Sequence, residues 1–472
     1  MITFHDMIST LLQQDQKNIE SYFSCYQEAI NKSIKIIRHK ITQEDFFAIA
    51  KSQWWQLTSP WFITWSDTYY ITREETKVWL GKHWLHSAWF FYMQEVAASL
   101  PTHILPVQAW DIILDMCAAP WGKSVQLWDS LINTGWYIVS NEMSGTRIIA
   151  LQHNLNRTWI YNSCVTQMSG TQFGNIVPNF FDGILVDAPC SGEGTGFKSD
   201  AGTKRWREDL VHKIARVQKD LLISAVKACK PWWYIVYATC TINPWENEWV
   251  VSHILEQYDD YLTLEDVAIE QKSEWVTGRA DQKFLSAEQA KKVARFWPHV
   301  QHTWWFFIAL FQKTKETPSK EIAPTKQTLS QLDLSDSLQE KVRTMITEDY
   351  AIELDEDYFF VSTQKQVYLT SKAYKTLHDK MHVAKIWVPI FKWNNNKELR
   401  PLHWLGNILW HLATKNVIQL DDISLQKYSE WYDLTTDYKP TTTNSYVMIK
   451  HQSRWCSVGK IVWDTLKNKY IK

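Results

Sequence analysis

Two hydrophobic rhythms alternate through the middle of the chain. Short continuous apolar runs, "DIILDMC", "YIVSNE", "FFDGILVDAP" and "WWYIVYATC", are separated by stretches at 122–133, 144–156, 205–229 and 245–257 whose apolar residues recur at helical spacing. Runs of this length bounded by turn residues predict buried strands, and their regular alternation with helices predicts βαβ units around a parallel sheet over 96–315. "TWWFFIALFQK" at 303–313 adds a late apolar strand. Residues 1–95 predict a small mixed α/β unit, with helical spacing in "MISTLLQQ" and "FSCYQEAINKSIKII" and short aromatic strands near "YYIT". "TKETPSKEIAPTKQTLSQ" is polar and holds two prolines, which predicts a linker over 316–334. Residues 335–472 mix short strands and helices and form a separate small domain in this reading. No internal repeat is visible.

Composition changes the picture at one point. The chain has 28 tryptophans and only 14 glycines in 472 residues, so glycine stands at about 3% where globular proteins carry about 7%. Several tryptophans sit where a chain turns: the pair in "KPWWYIVYATC" lies between a helix end and a strand, those of "NTGWYIVSNE" and "QAWDIILDMC" precede strands, and that of "NRTWIYN" follows a helical stretch. Turns and helix stops use backbone conformations that favour glycine. These positions therefore read as glycine in the functional protein, as happens when UGA codons that an organism decodes as glycine are written as tryptophan. A genuinely tryptophan-rich protein, with core or RNA-stacking aromatics, is the alternative.

The remaining bounds are ordinary. No apolar run reaches transmembrane length, and "MITFHDMISTLLQQDQKN" is too polar for a signal peptide. Seven cysteines, with no CxxC pair, argue against a disulfide framework or a zinc site and for a reducing cytoplasm. The net charge of −1 gives no nucleic-acid signal, yet residues 450–472 hold six Lys/Arg against one Asp. Such a tail is either a solvated surface or a nucleic-acid contact.

Candidate chemistry falls at the carboxyl ends of the predicted strands, where open α/β sheets place ligands. "DMCAAPWGKSVQL" runs from a strand through small residues into a helix near Lys123, the layout of a cofactor loop, although Trp121 stands where bare backbone is needed. Glu142 ends the second strand about 20 residues after Gly122, from where an acid bonds a ribose diol. It is otherwise a helix N-terminal acid beside Ser144. Asp187 leads into "DAPCSGEGTG", which carries Cys190, and Cys240 ends the strand "YIVYATC". A single cysteine is more often a small buried hydrophobe. Two at one sheet edge with a carboxylate between them point to chemistry.

"LDMCAAPWGK", "SNE", "DAPCSGEG", "VYATCTINPWENE" and "RFWPHVQHTWWFFIALFQK" resemble, in order and spacing over about 70–315, the motif series of the NOL1/NOP2/Sun family of RNA 5-methylcytosine methyltransferases. The C-terminal "GKIVWDTLKNKY" resembles the bacterial ribosomal RNA branch, which carries a PUA-like RNA-binding tail. Trp89, Trp110, Trp121, Trp136, Trp159, Trp232, Trp233, Trp304 and Trp305 stand where that family has glycine. The resemblance implies an α/β fold with a Rossmann-like S-adenosylmethionine-dependent methyltransferase domain, a small N-terminal α/β domain that accompanies it in RNA binding, and a C-terminal PUA-like α+β domain. It implies that Cys117, Ala118, Ala119, Pro120, Trp121, Gly122 and Lys123 wrap the methionine moiety of S-adenosylmethionine, that Glu142 holds the ribose and that Arg147 assists. Asp187 is placed at the cofactor and the target base alike. Where the family has an aspartate for the adenine, this chain has Ser169, a weaker acceptor.

Carbon 5 of cytosine is a poor nucleophile, so a thiolate must first add to carbon 6. The family match assigns that thiolate to Cys240 and the later release to Cys190, with Asp187 stabilising the protonated pyrimidine. The target cytosine must lie outside any stack. "KSDAGTKRWREDLVHKIARVQK" at 198–219 is basic and reads as a phosphate contact or a solvated helix face. The expected partner is RNA, ribosomal before transfer RNA, with no membrane and no metal, and the protein is expected to act as a cytoplasmic monomer. A non-catalytic RNA-binding protein of the same ancestry is the alternative if every tryptophan is genuine.

Overall fold

The computed structural model describes residues 4–468 apart from 14, 26–30, 64–66, 75–78, 88, 121, 131–134, 159, 194–205, 274–275, 280–281, 319–331, 382, 387, 430–431, 442–444 and 452–454. Residues 1–151 with 167–323 form one compact unit, and residues 152–166 with 324–472 form a second.

The first unit is organised by a twisted sheet whose strands are β1 (Ile112–Asp115), β2 (Tyr137–Asn141), β3 (Phe181–Asp187), β4 (Cys229–Thr239), β5 (Leu262–Glu265) and β6 (Phe306–Lys313). They lie in the order β5-β6-β4-β3-β1-β2. β1 to β4 are mutually parallel, and β6 and β5 run antiparallel at one edge. β1 is buried between β2 and β3, so the crevice beyond its carboxyl end is the point where strand order reverses. Every expected strand of the alternating region is present. The helix Glu248–Gln257 is shorter than the periodic stretch that predicts it, Gly122–Ser130 runs up to the last described residue of its stretch, and Glu208–Ala228 spans nearly all of its own.

The amino-terminal residues build an antiparallel sheet of Trp55–Thr58, Thr68–Arg73, Ser33–Ile36 and Phe91–Met93, in that order. Here one expectation fails. "FSCYQEAINKSIKII" has helical spacing throughout, yet the helix Gln16–Ser24 covers only its start, and Ser33–Ile36 is a central strand. All four residues of that strand are buried, so facing sheet partners override the helical period. The buried Lys35 is tolerated because its ammonium pairs with the equally buried Asp67, which His103 also contacts at 3.3 Å. The two amino-terminal helices pack Met7, Ile8, Leu11 and Tyr22 against Ile242, Trp297 and Trp305 of the same unit. They thereby support the loop that follows β4.

In the second unit the helix Asp336–Tyr350 precedes a four-stranded antiparallel sheet of Tyr358–Ser362, Gln366–Ser371, Val388–Trp393 and Leu399–Pro401. A five-stranded sheet follows, with Tyr446–His451 and Trp455–Val462 at its centre. Most of the expected linker lies outside the described residues. Part of the basic charge near the carboxyl terminus is engaged locally. Lys467 pairs with Asp433 and Lys439 with Asp464, each at 2.7 Å, and Lys450 lies over the ring of Trp410.

Backbone conformation bears on the tryptophan excess. Among the described residues twelve non-glycine positions have positive φ, and five are tryptophan: Trp54, Trp89, Trp110, Trp232 and Trp463, with φ between 57° and 71°. A bulky aromatic is a poor choice there, because its Cβ crowds the adjoining carbonyl. Trp54, Trp110, Trp232 and Trp463 are 81%, 67%, 70% and 89% exposed, so packing offers little compensation. Trp54 and Trp463 were not among the positions singled out by motif. The converse holds at Trp136 and Trp305, which are fully buried and lie outside the positive-φ set. Trp305 stacks on Tyr22 at 5.4 Å, and nothing in its backbone requires glycine. Trp233 and Trp304 likewise lie outside that set, and Trp121 and Trp159 fall outside the described residues.

Two tests follow from this architecture. Trp232→Gly should stabilise the protein by about 1 kcal/mol through loss of left-handed strain, measured by denaturant unfolding; a destabilised variant would show that the indole is held by contacts worth more than the strain. The second concerns Asp115, whose burial raises its carboxyl from 3.8 to about 7 despite a 2.6 Å hydrogen bond from the Ser124 hydroxyl. A raised acid contributes stability that is present below its unfolded value and lost as pH rises through the folded value. The melting temperature of Asp115→Asn should therefore gain on the parent as pH rises from about 5 to about 8. A pH-independent difference would contradict this.

Candidate active site

β1 ends in Asp115, and the chain then crosses the carboxyl edge of the sheet as Met116 to Pro120 before the helix Gly122–Ser130 begins. The loop is pinned from both sides. Met116 N–H donates to Leu185 O at 2.9 Å on β3, and Ala118 N–H to Asn141 O at 2.8 Å on β2. Asn141 also donates through its side chain to Met116 O and Met168 O, and accepts from Met168 N–H. One buried amide thus joins three segments at the crevice. Gly122 leaves room that a side chain would take, since a Cβ there would lie 2.8 Å from Gln94 Oε1. Trp121 lies outside the described residues.

Glu142 is buried at the end of β2, accepts Ser144 N–H at 2.8 Å and faces the Arg147 guanidinium at 3.2 Å. Arg147 reaches further, to Ala119 O, and so braces the crossing loop against the acid. Two contacts leave a carboxylate with acceptor capacity for two more donors, which suits a ribose diol. Glu142 meets Ser144 as the alternative reading expected, and both roles are compatible. Ser169 begins the short turn Gly170–Gln172, with its hydroxyl 2.8 Å from Thr171 Oγ1. The residues that would surround S-adenosylmethionine therefore share one edge: a crossing loop of small residues from Cys117 to Pro120, a buried acid with spare acceptors, and a hydroxyl at the third position. These fit the cofactor, with Ser169 as the weak point.

The second half of the site lies beyond β3 and β4. The parallel register sets Asp187 beside Ala238, which brings the two following loops alongside one another. Asp187 pairs with Lys123 at 2.7 Å, and that ammonium also lies 5.3 Å from the Phe306 ring centre. Cys190 and Cys240, fifty residues apart, place their sulfurs 2.7 Å from each other. Contact with Cys240 and burial push the Cys190 thiol well above its ordinary range, so it holds its proton at neutral pH. Burial also raises Cys117, which makes it a poor competitor as a nucleophile.

The sequence reading brought Cys117, Lys123, Glu142, Arg147, Asp187, Cys190 and Cys240 to this edge, and the structure places them there. It did not identify the buried polar groups that hold the two cysteine loops: Glu193, Gln218 and Glu246. Glu193 and Glu246 lie inside the motifs "DAPCSGEG" and "TCTINPWENE". Gln218 and Ser224 are the polar residues on the buried, mostly apolar face of Glu208–Ala228, and the long amide of Gln218 is a pattern break that marks it. The region 194–205, which includes the start of the basic stretch 198–219, lies outside the described residues. Among the described residues no helix is long and apolar enough to cross a membrane, and no cluster of potential metal ligands occurs.

Residues 102–312 match the family model described as 16S rRNA methyltransferase RsmB/F. The ribosomal RNA small subunit methyltransferase F of Vibrio parahaemolyticus is 28% identical, over 98% of this chain and 95% of its own length. That of Aliivibrio fischeri is 29% identical over 98% and 97%. Among solved structures, a methyltransferase homolog from Pyrococcus horikoshii superposes with a TM-score of 0.56 at 24% identity, covering 66% of this chain and 93% of the other. The NSun6 structure of the same organism, solved with SFG, gives 0.56 at 18% identity over 66% and 98%, a likeness of fold. With the family match running across the sheet and both cysteine loops, and relatives aligned over nearly the whole chain, this chain is similar to the 16S rRNA methyltransferase RsmB/F family.

Proposed function

We propose that the protein methylates carbon 5 of a cytosine in small-subunit ribosomal RNA, with Cys240 as nucleophile and Cys190 as the group that assists release. The observation that carries this reading is the sulfur contact of 2.7 Å at the edge where Asp187 and the cofactor loop converge. S-adenosylmethionine, when bound, supplies an electrophilic sulfonium methyl to that edge. Residues Cys117 to Lys123 line its path, Glu142 holds the ribose, Arg147 orients Glu142, and Ser169 stands at the adenine end.

Cys240 adds through its thiolate to carbon 6 of the cytosine, which turns carbon 5 into an enamine-like nucleophile. Asp187, oriented by Lys123, faces the ring nitrogen that carries a proton after addition. Once carbon 5 is methylated its proton leaves to water, and the bond between carbon 6 and Cys240 breaks. Cys190, held protonated, donates its S–H hydrogen bond to the departing sulfur. A reducing, cytoplasmic setting suits two neighbouring free thiols. The carboxyl-terminal domain holds RNA in this account, and a single chain contains the whole site.

The experiment is denaturing electrophoresis of the protein after incubation with S-adenosylmethionine and small-subunit RNA, run on the chain as printed and with Trp121→Gly. Cys190→Ala should accumulate a slow-migrating covalent RNA adduct. Cys240→Ala should form none and lose methylation by at least about a thousandfold. An adduct in Cys240→Ala and none in Cys190→Ala would exchange the two roles.

A further inference from the structure

Each cysteine loop sends a buried glutamate into the other. Glu246, six residues after Cys240, accepts both the backbone N–H of Ser191 at 2.9 Å and its hydroxyl at 2.5 Å, and Ser191 directly follows Cys190. Glu193, three residues after Cys190, accepts the hydroxyl of Thr241 at 2.5 Å, and Thr241 directly follows Cys240. The exchange is reciprocal: in both loops the residue behind the sulfur is tied to an acid from the opposite loop. Gln218 closes the frame from the long helix, donating to Pro189 O at 2.8 Å and to Glu246 at 2.9 Å. Both acids and Gln218 are fully buried.

We infer that Glu193 and Glu246 form a reciprocal clamp that positions the Cys190 and Cys240 sulfurs in contact, so that release follows addition. Buried carboxylates are expensive unless well bonded, and a purely apolar filling would hold the loops without directing them. Burial raises Glu246 to about 8, with the nearby Glu193 adding to the rise, and burial raises Glu193 too. Neither acid has to be ionised to accept these hydrogen bonds. Neither touches the cofactor edge, so both are positioning residues. The clamp rests on the assignment of Cys240 to addition and Cys190 to release, and its test separates the two.

The direct readout is the rate at which dibromobimane, a short dialkylating probe, bridges Cys190 to Cys240, followed by fluorescence and peptide mapping. Thr241→Val, Ser191→Ala and Glu246→Gln should each slow bridging by about tenfold or more, since a displacement of about 1 Å disturbs such geometry on that scale. Thr241→Ser, which keeps the hydroxyl, should bridge at the parental rate, and S-adenosylmethionine affinity should stay within about twofold throughout. With RNA present, the slowed variants should also retain covalent adduct. If Glu246→Gln fails to fold, the hydroxyl variants carry the test. Parental bridging rates in both Thr241→Val and Ser191→Ala would overturn the clamp. Slowed bridging with no adduct in Cys190→Ala would uphold the clamp and refute the catalytic assignment.

Discussion

The meeting of two thiols fifty residues apart is the constraint on which the rest of the site depends. Neither cysteine lies on a strand, so nothing in a single loop fixes its sulfur. What fixes the pair is the parallel register of β3 and β4, which brings the two loops out side by side, and the crossed hydrogen bonds that tie each loop to the other. The antiparallel β6 covers the far side of β4, and the amino-terminal helices pack on Ile242 just beyond Cys240. The scaffold therefore braces the cysteines from behind and leaves their front at the cofactor edge.

Electrostatics divide the edge into two regions with different tasks. At the cofactor side, the acids Glu142 and Asp187 each meet a cation, Arg147 or Lys123, and are partly or wholly committed to orientation. At the cysteine side, Glu193 and Glu246 are buried and, among the described residues, are satisfied by hydroxyls, amides and an indole. Such groups hold the geometry of the two loops through directed hydrogen bonds. Contact with Cys240 and burial together push the Cys190 thiol up, so it keeps its proton, which suits the release role proposed for it.

Much of this was legible in the sequence because it rests on local signals. Apolar runs at regular intervals marked β1 to β4, and small-residue turns after them marked the loops where Glu142, Asp187, Cys190 and Cys240 appear. The parts that were not legible depend on tertiary partners. Ser33–Ile36 reads as helix until its two antiparallel neighbours are known, and the partner that lets Lys35 be buried, Asp67, is 32 residues away in the chain. Glu193 and Glu246 look like solvated motif residues until their loops are seen to cross. The tryptophan anomaly was visible in composition, but only φ separates positions that ask for glycine, such as Trp110 and Trp232, from Trp305, which the core accommodates.

The central claim is that this edge transfers methyl groups to cytosine carbon 5 in ribosomal RNA. It is tested most directly by incubating the Trp121→Gly protein with small-subunit RNA and S-adenosylmethionine carrying a labelled methyl group. The RNA is then digested and its nucleosides separated by mass spectrometry. The account predicts label in 5-methylcytidine. Label confined to any other nucleoside, or an RNA left unlabelled by a protein that binds the cofactor, would contradict it.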